Sequence, residues 1–161
     1  MCIKEKIIQT LKEASGGLTL LEDDFFIFGS AALILSGIEV GSTKDIDLLM
    51  SACSAGVLKR VWGDYRLDIP QKESGLFRSD RQIYQFHSMQ VEVSGDLQIL
   101  KDGDWVDVRI NDYELVYIDD FAVKIPSLRE QKRLLELFGR EKDLQRLSLI
   151  DRYLNKRENC L

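Results

Sequence analysis

Two aspartates separated by one apolar residue are the pattern in the chain that points most clearly to a functional site. Asp45 and Asp47 flank Ile46 at the start of the apolar segment DIDLLM. In a β-strand successive side chains alternate between faces, so both carboxylates project from the same face while Ile46 points into the core. Like charges held this close are unfavourable unless a cation separates them, and Mg²⁺ prefers hard carboxylate oxygens. The pair therefore predicts a site for divalent metal ions.

A glycine followed by a serine forms a second candidate site, upstream of the aspartates. Gly29 and Ser30 come directly after the aromatic run FFIF and before the apolar stretch AALILSG. Gly29 has no Cβ, so a phosphate chain can approach its backbone closely. Ser30 lies where a helix begins, and it offers a hydroxyl and unpaired N–H groups with a favourable dipole. We expect Gly29 and Ser30 to bind phosphates.

The elements that must position these residues are a strand, a helix and a second strand. The run at 25–28 predicts a buried strand, Ser30 begins a helix that ends near Gly37, and residues 41–43 form a turn before the strand at 45–50. A short helix is expected from Val57 to Trp62. The spacing of apolar residues at 3–14 predicts an amphipathic helix that Ser15, Gly16 and Gly17 terminate.

The second half of the chain is predicted to be β-rich and then helical. Five alternating segments between Tyr65 and Ile118 favour strands: RQIYQFH, MQVEVSG, LQILKDG, DWVDVRI and ELVYI. Ser127 and Glu130 fit a capping box for a helix that Gly139 ends. A last helix over 140–155 is expected to place four apolar residues on one face, namely Leu144, Leu147, Ile150 and Leu154. The expected fold is α+β, a mixed β-sheet with flanking helices, in a single domain over 1–161.

The order strand, Gly29-Ser30, helix, turn and Asp45-Ile46-Asp47 resembles the signature of the DNA polymerase β-like nucleotidyltransferase superfamily. The resemblance is closest to its small bacterial members, which include minimal, antibiotic and toxin-like nucleotidyltransferases. It covers residues 25 to 50 clearly and extends weakly to about residue 150. It implies Mg²⁺- or Mn²⁺-dependent transfer of a nucleoside monophosphate from an NTP to a hydroxyl, with Asp45 and Asp47 binding both metal ions. Gly29 and Ser30 would hold the triphosphate.

The family pattern includes a third acid on a neighbouring strand, and Glu92 fits it best. In the segment MQVEVSG, Val91 and Val93 face one side and Glu92 faces the other. The resemblance implies that Glu92 completes the metal site on the nucleophile side and helps to take the hydroxyl proton. Family members mostly carry Asp at this position. Asp68 is the second choice, and Asp96 is disfavoured because it follows Gly95 in an expected turn.

The C-terminal part of the sequence contains candidate cations for binding the phosphates. The segment GREKDLQRL resembles a motif of several bacterial relatives in which a helix bearing Lys and Asp packs beside the nucleotide. The resemblance implies that Lys142 reaches the phosphates and that Asp143 orients a neighbour, although a solvated helix start is the more common role of such residues. Lys124 is a further candidate cation. Trp105 is expected in packing, with stacking on a substrate ring as the alternative.

Composition limits the classes of function. The formal net charge of −5 and the pI near 5.0 argue against broad nonspecific nucleic-acid binding. The N-terminal sequence lacks a continuous apolar run of signal-peptide or membrane-spanning length, which favours a cytoplasmic protein with no membrane partner. Cys2, Cys53 and Cys160 are expected to be reduced thiols. His87 is the only histidine, and we expect it to be structural.

Two other functions remain open at this stage. The domain could be a catalytically silent binding or regulatory module that keeps the fold, with or without the ability to bind nucleotide. It could also belong to a toxin–antitoxin pair, in which case a small helical protein would be its partner. The acceptor of the transfer reaction is unidentified, and small molecules, proteins and RNA are all candidates.

Overall fold

The computed structural model describes residues 1–70 and 74–159. Within these ranges helices and strands alternate as far as α3, six consecutive strands follow a short 3₁₀ helix at Gly63–Tyr65, and two helices come last. The helices are α1 Ile3–Leu18, α2 Gly29–Leu35, α3 Ala52–Val61, α4 Leu128–Phe138 and α5 Glu141–Asn159. The strands are β1 Phe26–Phe28, β2 Asp45–Met50, β3 Arg66–Leu67, β4 Phe77–Gln85, β5 Gln90–Lys101, β6 Asp104–Asp107, β7 Tyr113–Ile118 and β8 Phe121–Pro126.

The main sheet is mixed, which confirms the predicted fold class. Its strands follow the order β1-β2-β5-β4-β3, and β6 pairs with the distal half of β5. The β2–β5 pair is parallel, whereas the other pairs are antiparallel. Strands β7 and β8 form a separate antiparallel hairpin.

Helices cover both faces of this sheet, and each face receives one set of alternating side chains. Ile46, Leu48, Val91 and Val93 belong to a buried cluster with residues of α1 and α3. On the other face Leu49 and Ile99 pack with α4 residues. Because Asp45 and Asp47 alternate with Ile46 and Leu48, packing of the apolar set directs both acids to the side of α4 and α5.

Strand β5 is longer than the sequence indicated. A turn was expected at Gly95 and Asp96, but the strand continues through both residues to Lys101. Asp96 adopts a φ of 50°, and the register with β4 shifts nearby, as in a β-bulge. Its Oδ1 accepts a hydrogen bond from the Ala52 N–H at the start of α3. The Gly-Asp pair thus bends a strand instead of ending it.

Three further predictions were wrong or incomplete: the start of one helix, the number of strands and the apolar face of the last helix. Helix α3 begins at Ala52 instead of Val57, with Ser51 as its N-cap. Strand β8 was not predicted, because its residues immediately precede the Pro126 turn. Leu144 was placed on the apolar face of the last helix, yet it is half exposed, whereas Ile150 is fully buried.

The capping box at the start of α4 is only half formed. The Ser127 side chain accepts a hydrogen bond from the Glu130 N–H, as predicted. The Glu130 carboxylate does not return the bond to the Ser127 backbone but accepts one from the Asn111 N–H and pairs with Arg133. The same acid therefore ties the helix to the preceding loop. Gly139 ends α4 in a left-handed conformation, as expected.

Two of the three cysteines lie in the part of the chain that the structure describes. Cys2 and Cys53 are exposed free cysteines, and Cys160 lies outside the described residues. Across residues 1–70 and 74–159, none of the helices has the length and apolarity needed to cross a bilayer.

Helix α1 continues through the two glycines that were expected to stop it. Gly17 is buried, and a Cβ added there would lie 2.3 Å from Nε1 of Trp62. Trp62 is itself 3% exposed and packs edge-on against Tyr84 and Phe86, so the ring has little room to move. Gly17 is required for close helix contact, whereas a Cβ at the exposed Gly16 would meet nothing within 4 Å.

We predict opposite effects for alanine at these two neighbouring positions. Gly17→Ala should lower the free energy of unfolding by about 1–3 kcal/mol through overpacking against Trp62. Gly16→Ala should raise it by up to about 1 kcal/mol, since alanine favours a helix over glycine. Urea denaturation followed by circular dichroism measures both. Equal stabilities for the two variants would contradict the tight contact.

Candidate active site

Three carboxylates meet where β2 and β5 run side by side. In the parallel register Asp47 lies opposite Glu92, and Asp45 lies opposite Gln90. Each of the three acids offers an oxygen that is within 4.8 Å of the oxygens of the other two. The structure thus brings together the three acids that the sequence singled out.

Burial and mutual repulsion disfavour the charged forms of the two aspartates. Burial is the largest cause of the raised pKa of Asp47, and the negative charges of Asp45 and Glu92 raise it further. The pKa of Asp45 is also raised, by burial and then by Glu92. Without a cation between them, these acids hold their charge at a cost in stability.

Gly29 lies directly beneath the carboxylate of Asp47. A Cβ at position 29 would lie 2.7 Å from Oδ2 of Asp47, and the φ of Gly29 is +68°. Both conditions exclude other residues without strain. Gly29 therefore positions the acid cluster, which is a role that sequence reasoning did not assign to it. Ser30 follows in the first turn of α2 and is buried.

A cavity of about 1200 Å³ opens over the acids. Its lining includes the six residues to which the sequence assigned metal, catalytic or phosphate-binding roles, namely Gly29, Ser30, Asp45, Asp47, Glu92 and Lys142, but not the further candidate Lys124. Its walls come from the sheet, from α2 and the loop before β2, and from α4 and α5. The cavity joins the acid cluster to the glycine-serine bend, as a site for metal and triphosphate requires.

Cations on α5 face the acids across the cavity. Lys142 lines it, and its positive charge counteracts the rise in the pKa of both Asp45 and Asp47. Arg146 acts in the same way on Asp47, and Lys44 does so on Asp45. Sequence reasoning missed Arg146, although its position four residues after Lys142 places it on the same helix face.

Among residues 1–70 and 74–159, Arg81 is a cation in direct contact with the acid cluster. Its Nε donates a hydrogen bond to Oε1 of Glu92, and both side chains are mostly buried. Arg81 lies opposite Ser94 in the antiparallel β4–β5 register, so it projects from the same face as Glu92 and is its diagonal neighbour. Nothing local in the sequence marks Arg81, because its position depends on how β4 pairs with β5.

Asp143 binds a neighbour, as the sequence suggested, and that neighbour is Arg140. The buried Asp143 carboxylate accepts bonds from the Arg140 backbone N–H at 3.1 Å and from its guanidinium at 2.7 and 3.1 Å. The guanidinium lies over the ring of Phe77 at 5.0 Å and near that of Phe138. Arg140, Phe77 and Phe138 all line the cavity and make this part of its lining aromatic.

Other candidates lie elsewhere or have different partners. Lys124 pairs with Asp24, packs on Tyr113 and does not line the cavity. Asp68 is exposed after the edge strand β3, and it is not among the acids that cluster. Trp105 lines the cavity, where the Arg78 guanidinium covers its ring. His87 is exposed, and its backbone N–H binds Glu13.

We predict that Asp47→Asn stabilises the metal-free protein. Because folding raises the pKa of Asp47, its charged form destabilises the fold at neutral pH, and the neutral amide removes that cost. The Tm in EDTA should rise, by about 2–4 °C for each kcal/mol regained. The gain should shrink as the pH falls toward the raised pKa, since Asp47 itself is then protonated.

The matched control for this change is Asp68→Asn, which removes one exposed acid outside the cluster. It should leave the Tm in EDTA close to that of the wild type. A lower Tm for Asp47→Asn at neutral pH would contradict the cost assigned to the buried charge.

Comparison with known proteins supports the fold. No protein-family model matches the chain, and no curated protein matches it significantly. Among solved structures, a candidate nucleotidyltransferase from Thermotoga maritima is similar over 96% of both chains, with a TM-score of 0.74 and 20% identity. An antigenic nucleotidyltransferase-like protein from Paracoccidioides brasiliensis has a TM-score of 0.58 and 15% identity, with 91% of this chain and 75% of that chain covered.

A third similar structure is the lincosamide antibiotic adenylyltransferase LnuA, solved with lincomycin bound. The match covers 91% of this chain and 95% of that chain, with a TM-score of 0.57 and 13% identity. These identities are low, so the similarity lies in the architecture. The chain has the fold of these nucleotidyltransferase structures, in agreement with the fold that the resemblance of its Gly-Ser and Asp-x-Asp segments implied.

Proposed function

We propose that the protein is a metal-dependent nucleotidyltransferase that transfers NMP from an NTP to an acceptor hydroxyl. The observation that carries the proposal is the convergence of Asp45, Asp47 and Glu92 on one cavity with the Gly29-Ser30 bend. The nucleotidyltransferase fold of the chain supports it.

The acid cluster fits divalent cations of the Mg²⁺ class. All three donors are carboxylates, with neither sulfur nor imidazole among them, and hard oxygen ligands favour Mg²⁺ or Mn²⁺. Asp45 and Asp47 would hold both ions, with Glu92 completing the site on the nucleophile side. Two such ions, when bound, stabilise the charge on the attacking and leaving oxygens. The repulsion among the acids is what the ions would relieve.

The remaining groups position the substrates. Gly29 and Ser30 would hold the triphosphate, and Lys142 and Arg146 would neutralise its charge from the side of α5. The acceptor oxygen forms a bond to the α-phosphorus while the bond from that phosphorus to the bridging oxygen breaks. Pyrophosphate leaves, and the Glu92 carboxylate helps to take the hydroxyl proton.

The acceptor is proposed only as a class. It is a hydroxyl compound, and it can be a small molecule, a protein side chain or an RNA end. LnuA was solved with an antibiotic bound, which makes antibiotics one set of small molecules to test. The acidic net charge of this chain slightly favours small molecules and proteins over long nucleic acids.

We expect transfer of label from one of the four α-³²P-labelled NTPs when Mg²⁺ or Mn²⁺ is present. Cell extract separated into small-molecule, RNA and protein fractions provides the acceptors. Asp47→Asn and Glu92→Gln should each reduce transfer by at least about 100-fold, since each removes a charged oxygen ligand. Asp68→Asn should retain transfer, because its side chain is exposed and outside the cluster.

Transfer by Asp47→Asn at the wild-type rate would refute the proposed role of the acids. A separate thermal-shift experiment addresses the alternative of a silent module that binds no nucleotide, whereas a silent module that binds nucleotide is distinguished by the transfer assay. A ligand that binds only the folded state at about 100 times its Kd stabilises it by about 2.7 kcal/mol. Mg²⁺ with an NTP should therefore raise the Tm of the wild type.

A further inference from the structure

The Arg81–Glu92 ion pair places a cation of the protein where metal ions are proposed to bind. Arg81 Nε contacts Oε1 of Glu92, and Glu92 has an oxygen within 4.8 Å of ligand oxygens of Asp45 and Asp47. The positive charge of Arg81 also acts on Asp45. A guanidinium is a fixed charge at any accessible pH, so it offsets part of the repulsion in the metal-free protein.

We propose that Arg81 is an exchangeable counter-ion: it holds Glu92 while the site lacks metal and then passes to the anionic phosphates of the nucleotide. This inference rests on the proposed function. A cation and the guanidinium compete for the same carboxylate, because a divalent ion beside Glu92 and a guanidinium bonded to it repel each other. Arg81 lines the same cavity as the proposed phosphate site. Once its guanidinium leaves Glu92, it can therefore pair with the phosphates of a bound nucleotide.

Two other arginines that line the cavity, Arg140 and Arg78, are bonded to residues outside the acid cluster. Arg140 is held by three hydrogen bonds to Asp143, whose side chain is 1% exposed. Arg78 donates from Nε to Gln98 and lies over Trp105. Arg81 pairs instead with an acid whose side chain is 21% exposed and which faces the cavity. Among these three, Arg81 is the one whose partner is itself a proposed metal ligand.

Arg81→Met should change metal and nucleotide affinity in opposite directions. Without the competing charge, Mn²⁺ alone should bind about tenfold more tightly, as measured by titration calorimetry. With saturating Mn²⁺, a non-hydrolysable NTP analogue should bind about tenfold more weakly, since a phosphate partner is lost. A general loss of structure would weaken both. Arg81→Lys keeps the charge and should bind Mn²⁺ nearly as the wild type does.

Arg66→Met is the matched control, because it makes the same change in net charge on the adjacent strand β3 and does not line the cavity. It should leave both affinities close to those of the wild type. Unchanged or weaker Mn²⁺ binding by Arg81→Met would overturn the exchange. Unchanged nucleotide binding would overturn the transfer of Arg81 to phosphate.

Nuclear magnetic resonance of arginine Nε–H groups observes the exchange directly in the wild type. Saturating Mg²⁺ should move the Arg81 signal away from its carboxylate-bonded position. The signal of Arg133, whose Nε is bonded to Glu130 outside this cavity, should stay in place. An unmoved Arg81 signal at saturating Mg²⁺ would overturn the proposal. If the wild type bound no Mg²⁺ or Mn²⁺, the proposed function itself would fail instead.

Discussion

The parallel pairing of β2 with β5 is the constraint on which the candidate site depends. It sets Asp47 directly opposite Glu92, although repulsion between their charges opposes the arrangement. The cost is sustained because the intervening residues of both strands, including Ile46 and Val91, are almost completely buried on the opposite face. Each buried aliphatic side chain contributes about 1.5–3 kcal/mol. Because side chains of β2 and β5 alternate between the two faces of the sheet, burial of the apolar residues on one face holds the mutually repelling acids together on the other.

Cations reduce this strain without removing it. Lys142 and Arg146 act on Asp47 through space from α5, yet the pKa of that acid remains raised. A site neutralised completely by the protein would have no affinity left for metal ions. If Lys142 and Arg146 were missing as well as the metal ions, the three carboxylates would repel the phosphates of a nucleotide. The protein's own cations therefore leave some repulsion among the three carboxylates, and bound metal ions would reduce it further.

Local patterns in the sequence predicted the elements around Asp45 and Asp47 well, because each of these elements is encoded by a few neighbouring residues. Strand β2 has the predicted bounds, and Gly29 and Ser30 begin a helix as expected. What failed depends on contacts between distant segments. Gly17 lies in a helix that packs tightly against Trp62, and Asp96 lies in a strand where its carboxylate accepts a hydrogen bond from the Ala52 N–H at the start of α3. Arg81 reaches Glu92 only through the β4–β5 register.

Two groups of residues in the cavity lining differ in how their charges are compensated. At the α4–α5 junction the left-handed Gly139 ends one helix, and Arg140 is fixed between a buried carboxylate and the rings of Phe77 and Phe138. Its charge is thus satisfied within the protein and contributes shape and an aromatic surface. At the acid cluster the carboxylates repel one another, and the pKa values of Asp45 and Asp47 stay raised despite the nearby cations. Under the proposed function, the Arg140 region would orient an acceptor, whereas the acid cluster would bind ions and phosphates, whose charges complete it.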